Sequence, residues 1–398
     1  MRENNMAELW FNPSKLLFST VHVRGNTNWV SFELSDNEGT FGSGEITSTQ
    51  LASEVAPVVA RLANKLRGEK LTSDDDVMHY NRLQPADLEK DVLLATAVSG
   101  LRCAVADALA KRAQLPLHRY IRQQHGHAGD PANKVMLYAN INRSMLPNDR
   151  GPVDRSPETF RKMAERAMKA GFTTAKCAPF DECRGPHHKV GLPSCASLGL
   201  ERVRAAKDAV GPDRTLYIDC HSRFDLNSGF ALGEELKVAG AGWYEEPVDP
   251  IDDMDAMRQI HAKSPLPNAG AEMGYGVDIF KRLIGEDVLD IVMPDVKFCG
   301  GPVEAYRIGM ELEPNHPGSV SMHCPSGPLS LLASAHATAA FGNVLPLEHA
   351  VYEVEWRHEV MEPFEQIKNG EFFLPDGYGL GGRVDPVAVE MRGKRWEE

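Results

Sequence analysis

The chain has 398 residues, 42% of them apolar and 25% charged, and a net charge of −13. That length fits two domains, or one barrel with additions, and the composition is that of a globular chain able to bury a large core. The acidic balance argues against a nucleic-acid backbone as partner, which needs a basic face, and it leaves an anionic substrate dependent on a local cation. No run of 18 apolar residues suggests a membrane span, and the polar start Met1–Asn5 does not resemble a secretory segment. The seven cysteines are scattered and odd in number, which points to a reducing, cytoplasmic setting. Two groupings, Cys177/Cys183 and His187/His188/Cys195, match no zinc-ribbon spacing.

The first part of the chain reads as α+β. Phe18–Val23 and Trp29–Leu34 alternate and carry β-branched residues, and Asp36-Asn37-Glu38-Gly39 is a turn signal before Phe41. Leu51–Leu66 and Val92–Ala113 then show apolar residues at helical spacing, and the Ala content of the second suggests close helix packing. From about Val135 short apolar runs alternate with amphipathic segments. The runs are Val135–Ala139, Phe172–Ala178, Thr215–Asp219, Trp243–Glu246, Ala269–Glu272, Leu289–Pro294, Ser319–His323 and Leu345–Glu348.

A polar residue closes each run from the third onward: Asp219, Glu245, Glu272, Asp295, His323 and Glu348, at steps of 23 to 28 residues. That is the rhythm of βα units, and eight of them predict a closed parallel barrel of the (β/α)8, TIM type. The expected organisation is an α+β capping domain over 1–130, a barrel over 131–355, and a segment over 356–398 that returns to complete the cap. The longer step from Lys176 to Asp219 places a loop over Asp181–Gly199, above the second strand.

Charged residues at the C-terminal ends of barrel strands gather around one axial pocket. Asp219, Glu245 and Glu272 would stand on three consecutive strands, and three carboxylates so close need a cation; hard oxygen donors suit Mg²⁺. Each taken alone is as well explained as a helix cap or loop ion pair. Lys176, inside the apolar Thr174–Ala178, is a candidate amine base whose pKa should fall near such a cation, the plain alternative being a snorkelling lysine. Asp295 and His323 form a candidate proton-transfer dyad. His221 should share a side with Asp219 by period-two geometry and suits a general acid, and Arg223, one further step on, is a candidate ligand for a substrate carboxylate. No P-loop, dinucleotide fingerprint or nucleophile elbow is present.

Together these segments resemble the enolase superfamily and, within it, the mandelate racemase subgroup, over nearly the whole chain. Gly42-Ser43-Gly44-Glu45 is similar to the end of the capping sheet, Ser99–Leu109 to the long helix before the barrel, and Trp243-Tyr244-Glu245-Glu246-Pro247 to the fourth-strand motif. Met293-Pro294-Asp295 with Gly300-Gly301 resembles the sixth strand, and Pro375–Gly381 the segment that completes the cap. The resemblance implies Mg²⁺ on Asp219, Glu245 and Glu272, a dyad of Asp295 and His323, and a hydrogen bond donated by a protonated Glu348 to the substrate carboxylate. Only the second lysine of the common second-strand Lys-x-Lys is present, as Lys176 behind Thr174. Asp219-x-His221-x-Arg223 resembles the third strand of galactonate, gluconate and mannonate dehydratases, where the histidine assists departure of the 3-hydroxyl.

The resulting expectation is a homo-oligomeric, Mg²⁺-dependent dehydratase of an aldonic or aldaric acid, with specificity in Gly25–Trp29, Thr47–Gln50 and the loop Asp181–Cys195. A racemase or epimerase using Lys176 and His323 as opposed bases differs only after the first proton loss. A non-catalytic metal-binding sensor would need the carboxylates but not the bases.

Overall fold

The computed structural model describes residues 9–48, 52–187, 189–342 and 344–398. Thr49, Gln50, Leu51 and His188, named above, and the first eight residues lie outside them.

Three antiparallel strands open the chain: β1 (Lys15–Arg24), β2 (Thr27–Ser35) and β3 (Phe41–Glu45). The turn expected after β2 forms because Asp36 Oδ1 accepts from the backbone N–H groups of Glu38 and Thr40, both at 2.9 Å. The sheet gains a fourth strand from the far end of the chain, Gly393–Glu397, antiparallel to β1. Its inner face lies on the helix Val92–Arg112, which Asp91 caps by accepting from Leu94 N–H at 2.9 Å. Contact is so close that a Cβ on Gly42 would meet the Ala104 carbonyl at 1.7 Å, so only glycine fits there. This helix is long and apolar enough to cross a membrane, but 83% of its apolar window is buried in the protein core.

The second sheet is the barrel. Its strands β4 (Lys134–Asn140), β5 (Thr174–Cys177), β6 (Thr215–Asp219), β7 (Trp243–Glu245), β8 (Asn268–Gly270) and β9 (Ile291–Val292) pair in parallel and in sequence. β10 (Leu347–Ala350) pairs with β4 from the other side. Between β9 and β10 the expected seventh strand is an extended segment, 319–323, with one bridge, Val292 to Val320. Its ladder continues through His323 N–H to Pro294 O and Glu348 N–H to Met322 O, both 3.1 Å, and these close the ring. The barrel interior is packed, with the Tyr217 and Trp243 rings stacked at 3.5 Å and Tyr138 edge-on to both. The hairpin of Gln366–Lys368 and Glu371–Phe373, not foreseen from sequence, adds antiparallel to the first half of β4. The segment expected as a loop over Asp181–Gly199 ends earlier, because a helix begins at Ala196.

Cap and barrel are joined by buried polar groups. Glu45, at the end of β3, accepts from the N–H groups of Gly327 (2.7 Å) and Ser330 (2.8 Å), at the start of the barrel helix Pro328–Phe341. His336 on that helix donates Nε2–H to the Leu380 carbonyl (3.0 Å), so its Nδ1 is an acceptor, and His118 Nδ1 must be the donor at 3.0 Å. Burial pushes both imidazoles down, His118 to about 4 and His336 to about 3.

Folded values below the unfolded value of 6.5 mean that stability is complete above pH 6.5 and is lost as pH falls. Each histidine contributes a slope of about 1.4 kcal/mol per pH unit over that window. His336→Gln is expected to remove one proton's worth of slope from unfolding free energy measured between pH 6 and 4.5. An unchanged slope would contradict the buried neutral pair.

Candidate active site

Parallel register sets Asp219 and Glu245 side by side at the ends of β6 and β7, both buried. Glu272 does not end β8 as expected. The strand stops at Gly270, because Glu246 Oε1 accepts from Ala271 N–H at 2.8 Å and draws the chain off the ladder, with Ala271 at φ +70°. The rim repeats this device. Glu246 has φ +40°, and His221 and Ser222 have φ +48° and +52°. Such non-glycine conformations cost about 1–3 kcal/mol each, and here they cluster beside the three acids.

This left-handed turn corrects the period-two argument. The chain leaves the strand after Asp219, yet His221 folds back onto it. Its N–H reaches Asp219 Oδ1 at 2.8 Å and its Nε2 lies 2.9 Å from Oδ2. Arg223 goes elsewhere: its guanidinium donates to the carbonyls of Asp181 (3.2 Å) and Cys183 (3.1 Å), so we propose that it positions the loop rather than the substrate.

Lys176 Nζ is buried between Glu245 Oε1 (2.8 Å) and Glu348 Oε1 (2.9 Å). Burial alone would lower it, but the two carboxylates outweigh burial and hold it well above its usual value. We propose that Lys176 serves as a cation rather than as the amine base expected from the sequence. Glu348 accepts from Asn140 Nδ2 (2.6 Å) and Cys324 N–H (3.0 Å), and Lys176 and His323 outweigh burial and hold it below the usual range, which favours the carboxylate over the protonated donor expected from the sequence.

Asp295 and His323 are brought together. His323 Nδ1 lies 3.0 Å from Asp295 Oδ2, which fixes the ring, and Nε2 lies 2.8 Å from Glu272 Oε2 and 3.6 Å from Glu348 Oε2. Burial opposes protonation of this ring, yet Glu272 and Glu348 outweigh it and raise it well above 6.5. His221 is lifted to about 9 by Asp219, against burial.

Among the described residues no three His, Cys, Asp or Glu side chains converge as a metal-ligand set. Each of the three expected ligands instead meets a protein cation: Asp219 with His221, Glu245 with Lys176, Glu272 with His323. The donor chemistry nonetheless fits a hard divalent cation. Burial, with Asp219 and Glu348 adding to it, leaves Glu245 at about 8 despite Lys176, and burial with Glu272 and Asp219 raises Glu246 well above its usual value. A divalent cation bound there would favour the ionised forms of both carboxyls against burial.

Sequence reasoning missed Asn140, Glu246 and Lys297. Asn140 closes the first apolar run as Asp219 closes the third, so the signal was present; Glu246 acts through backbone bonds that spacing does not show. Of the proposed specificity segments, Gly25 N–H donates to Asp149 at 2.7 Å, and Arg24 donates to the carbonyls of Ser144, Leu146 and Glu353, seating the cap on the loop after β4.

A family model described as enolase C-terminal domain-like matches residues 159–388. The chain belongs to that family. Its relatives include a D-xylonate dehydratase of Haloferax volcanii, 26% identical over 93% of this chain and 87% of that protein. A D-galactarolactone cycloisomerase of Agrobacterium fabrum is 28% identical over 90% of each. Among solved structures, a mandelate racemase/muconate lactonizing enzyme-like protein from Rubrobacter xylanophilus superposes with a TM-score of 0.82, at 23% identity, over 96% of this chain and 98% of that one. The last likeness carries the fold: a modified (β/α)8 barrel with an α+β cap.

Lys176→Met leaves Glu245 and Glu348 buried without their cation. It is expected to lower stability in urea unfolding by about 3–5 kcal/mol, with Glu348→Gln added to it recovering part of the loss. An unchanged midpoint in the single variant would contradict the coupling.

Proposed function

We propose that this family member dehydrates an aldonic or aldaric acid to a 2-keto-3-deoxy acid with Mg²⁺ as cofactor. The observation that carries the reading is the placement of two imidazoles across one carboxylate cluster. His221 follows the third barrel strand and His323 lies on the seventh, four positions apart in a ring of eight, so they come from opposite sides of the mouth. The dehydratase among the relatives supports it.

Asp219, Glu245 and Glu272 would hold the cation, which would supply Lewis-acid stabilisation of negative charge on the substrate carboxylate. Asp295 keeps the His323 Nδ1 proton in place and presents Nε2 to the pocket. His323 Nε2 is the atom placed to take the C2 proton, and Glu272, one of the two carboxylates that favour its protonated form, would be drawn off it where it served as a metal ligand. Lys176, which keeps Glu348 as its partner where Glu245 would turn to the cation, contributes positive potential where the ene-diolate forms. His221, with 42% of its side chain exposed, stands at the mouth, where a leaving 3-hydroxyl can accept its proton and depart as water. The C3–O bond breaks as the enol forms, and the enol tautomerises to the keto acid.

An isomerase is the second reading, favoured by the cycloisomerase relative. It shares the first proton transfer and lacks the loss of water.

A screen of the purified protein with Mg²⁺ against aldonic and aldaric acids is expected to give EDTA-sensitive 2-keto acid. With the substrate found, His221→Asn should slow dehydration by about 10²–10⁴ while leaving C2 exchange in deuterated water in place. C2 exchange across the library without any keto acid would favour the isomerase; dehydration untouched in His221→Asn would remove the leaving-group role.

A further inference from the structure

Lys297 is buried, and the chemistry above makes no use of it. Burying a lysine is costly unless its ammonium is employed. Its backbone N–H donates to Asp295 Oδ1 at 2.8 Å, and its side chain turns back so that Nζ lies 3.6 Å from Oδ2. That is the oxygen that accepts from His323 Nδ1. The same ammonium donates to the Thr47 carbonyl at 3.2 Å, on the capping domain, and lies 4.3 Å from the centre of the Phe298 ring. Thr47 is itself fixed to the capping sheet, since its hydroxyl accepts from Val30 N–H at 3.0 Å. A snorkelling lysine would send Nζ outward; this one sends it inward, between the dyad and the cap.

We propose that Lys297 is a positioning residue that latches the capping domain to the catalytic dyad. Its ammonium and its backbone N–H hold the two oxygens of Asp295, so the carboxylate cannot rotate away from His323. Its bond to Thr47 makes that hold depend on the cap being seated. The latch thus couples the domain expected to select the substrate to the group expected to take the proton. The kinetic consequence rests on the sugar-acid reading; the mechanical one does not.

The test compares full-length wild type, Lys297→Met, Lys297→Gln and Lys297→Arg, each with Mg²⁺. Amide hydrogen exchange is read in peptides covering 41–47 and, as a control, 27–35. Lys297→Met is expected to speed exchange over 41–47 by about tenfold with the control peptide little changed. On a turned-over sugar acid, kcat should fall about a hundredfold with KM within threefold, as displaced dyad geometry costs. Lys297→Arg should recover most of both. Lys297→Gln, which keeps a donor for Thr47 but loses the charge, should retain cap protection and lose kcat; it also serves if the methionine variant does not fold. A raised KM at unchanged kcat would make Lys297 a substrate ligand and overturn the latch, as would exchange and kinetics matching wild type. If wild type turns over no sugar acid, the functional reading fails by itself. The exchange arm then still decides: faster exchange over 41–47 supports the latch, and unchanged exchange overturns it.

Discussion

The carboxylate of Glu348 ties four strand positions of the barrel mouth into one electrostatic unit. One oxygen meets Asn140 of the first strand and Lys176 of the second; the other meets the Cys324 N–H and faces His323 of the seventh. From there charge alternates outward, through Lys176 to Glu245 and through His323 to Asp295 and Glu272. In a water-poor interior each member is costly alone and tolerable only beside its opposite. The arrangement therefore constrains side chains from six strand ends at once, which is what proton transfer with fixed geometry needs.

The rest of the fold supplies the rigidity that this cluster consumes. Left-handed residues at His221, Ser222, Glu246 and Ala271 store strain at the rim. Below them the stacked Tyr217 and Trp243 rings fill the barrel, and Trp243 Nε1–H donates to Glu245 Oε2 at 3.1 Å, carrying core order into the site. Above them the cap is fastened at several points, among them Glu45 on a barrel helix, Arg24 on the loop after β4, and Lys297 on Thr47. A sheet completed by a strand from the opposite end of the chain makes the cap hard to displace without unfolding the C-terminal segment.

Much of this is legible in the sequence because barrel strands are buried on both faces. A single polar residue ending an apolar run then stands out, as Asp219, Glu245, Asp295 and His323 do, and their even spacing gives the barrel. Glu272 lies off its strand end because Glu246, just past the neighbouring strand, accepts from the Ala271 N–H, a pairing that no local pattern displays. The surroundings of Lys176 in sequence do not show its two partners, Glu245 and Glu348, which come from distant strands and favour its charged form. The direction of Arg223 is not legible for the opposite reason: alternation holds only while the strand continues, and a left-handed turn intervenes at His221 and Ser222. The 319–323 segment keeps its place in the ring with a single bridge, so its position was readable and its conformation was not.

The central proposal is that Asp219, Glu245 and Glu272, hard oxygen donors at one barrel mouth, would hold a divalent cation. Calorimetric titration of the purified protein with Mg²⁺ tests it most directly. The account predicts one binding event per chain, weakened at least about tenfold by Glu272→Gln. No binding in wild type, or equal binding in the variant, would contradict it.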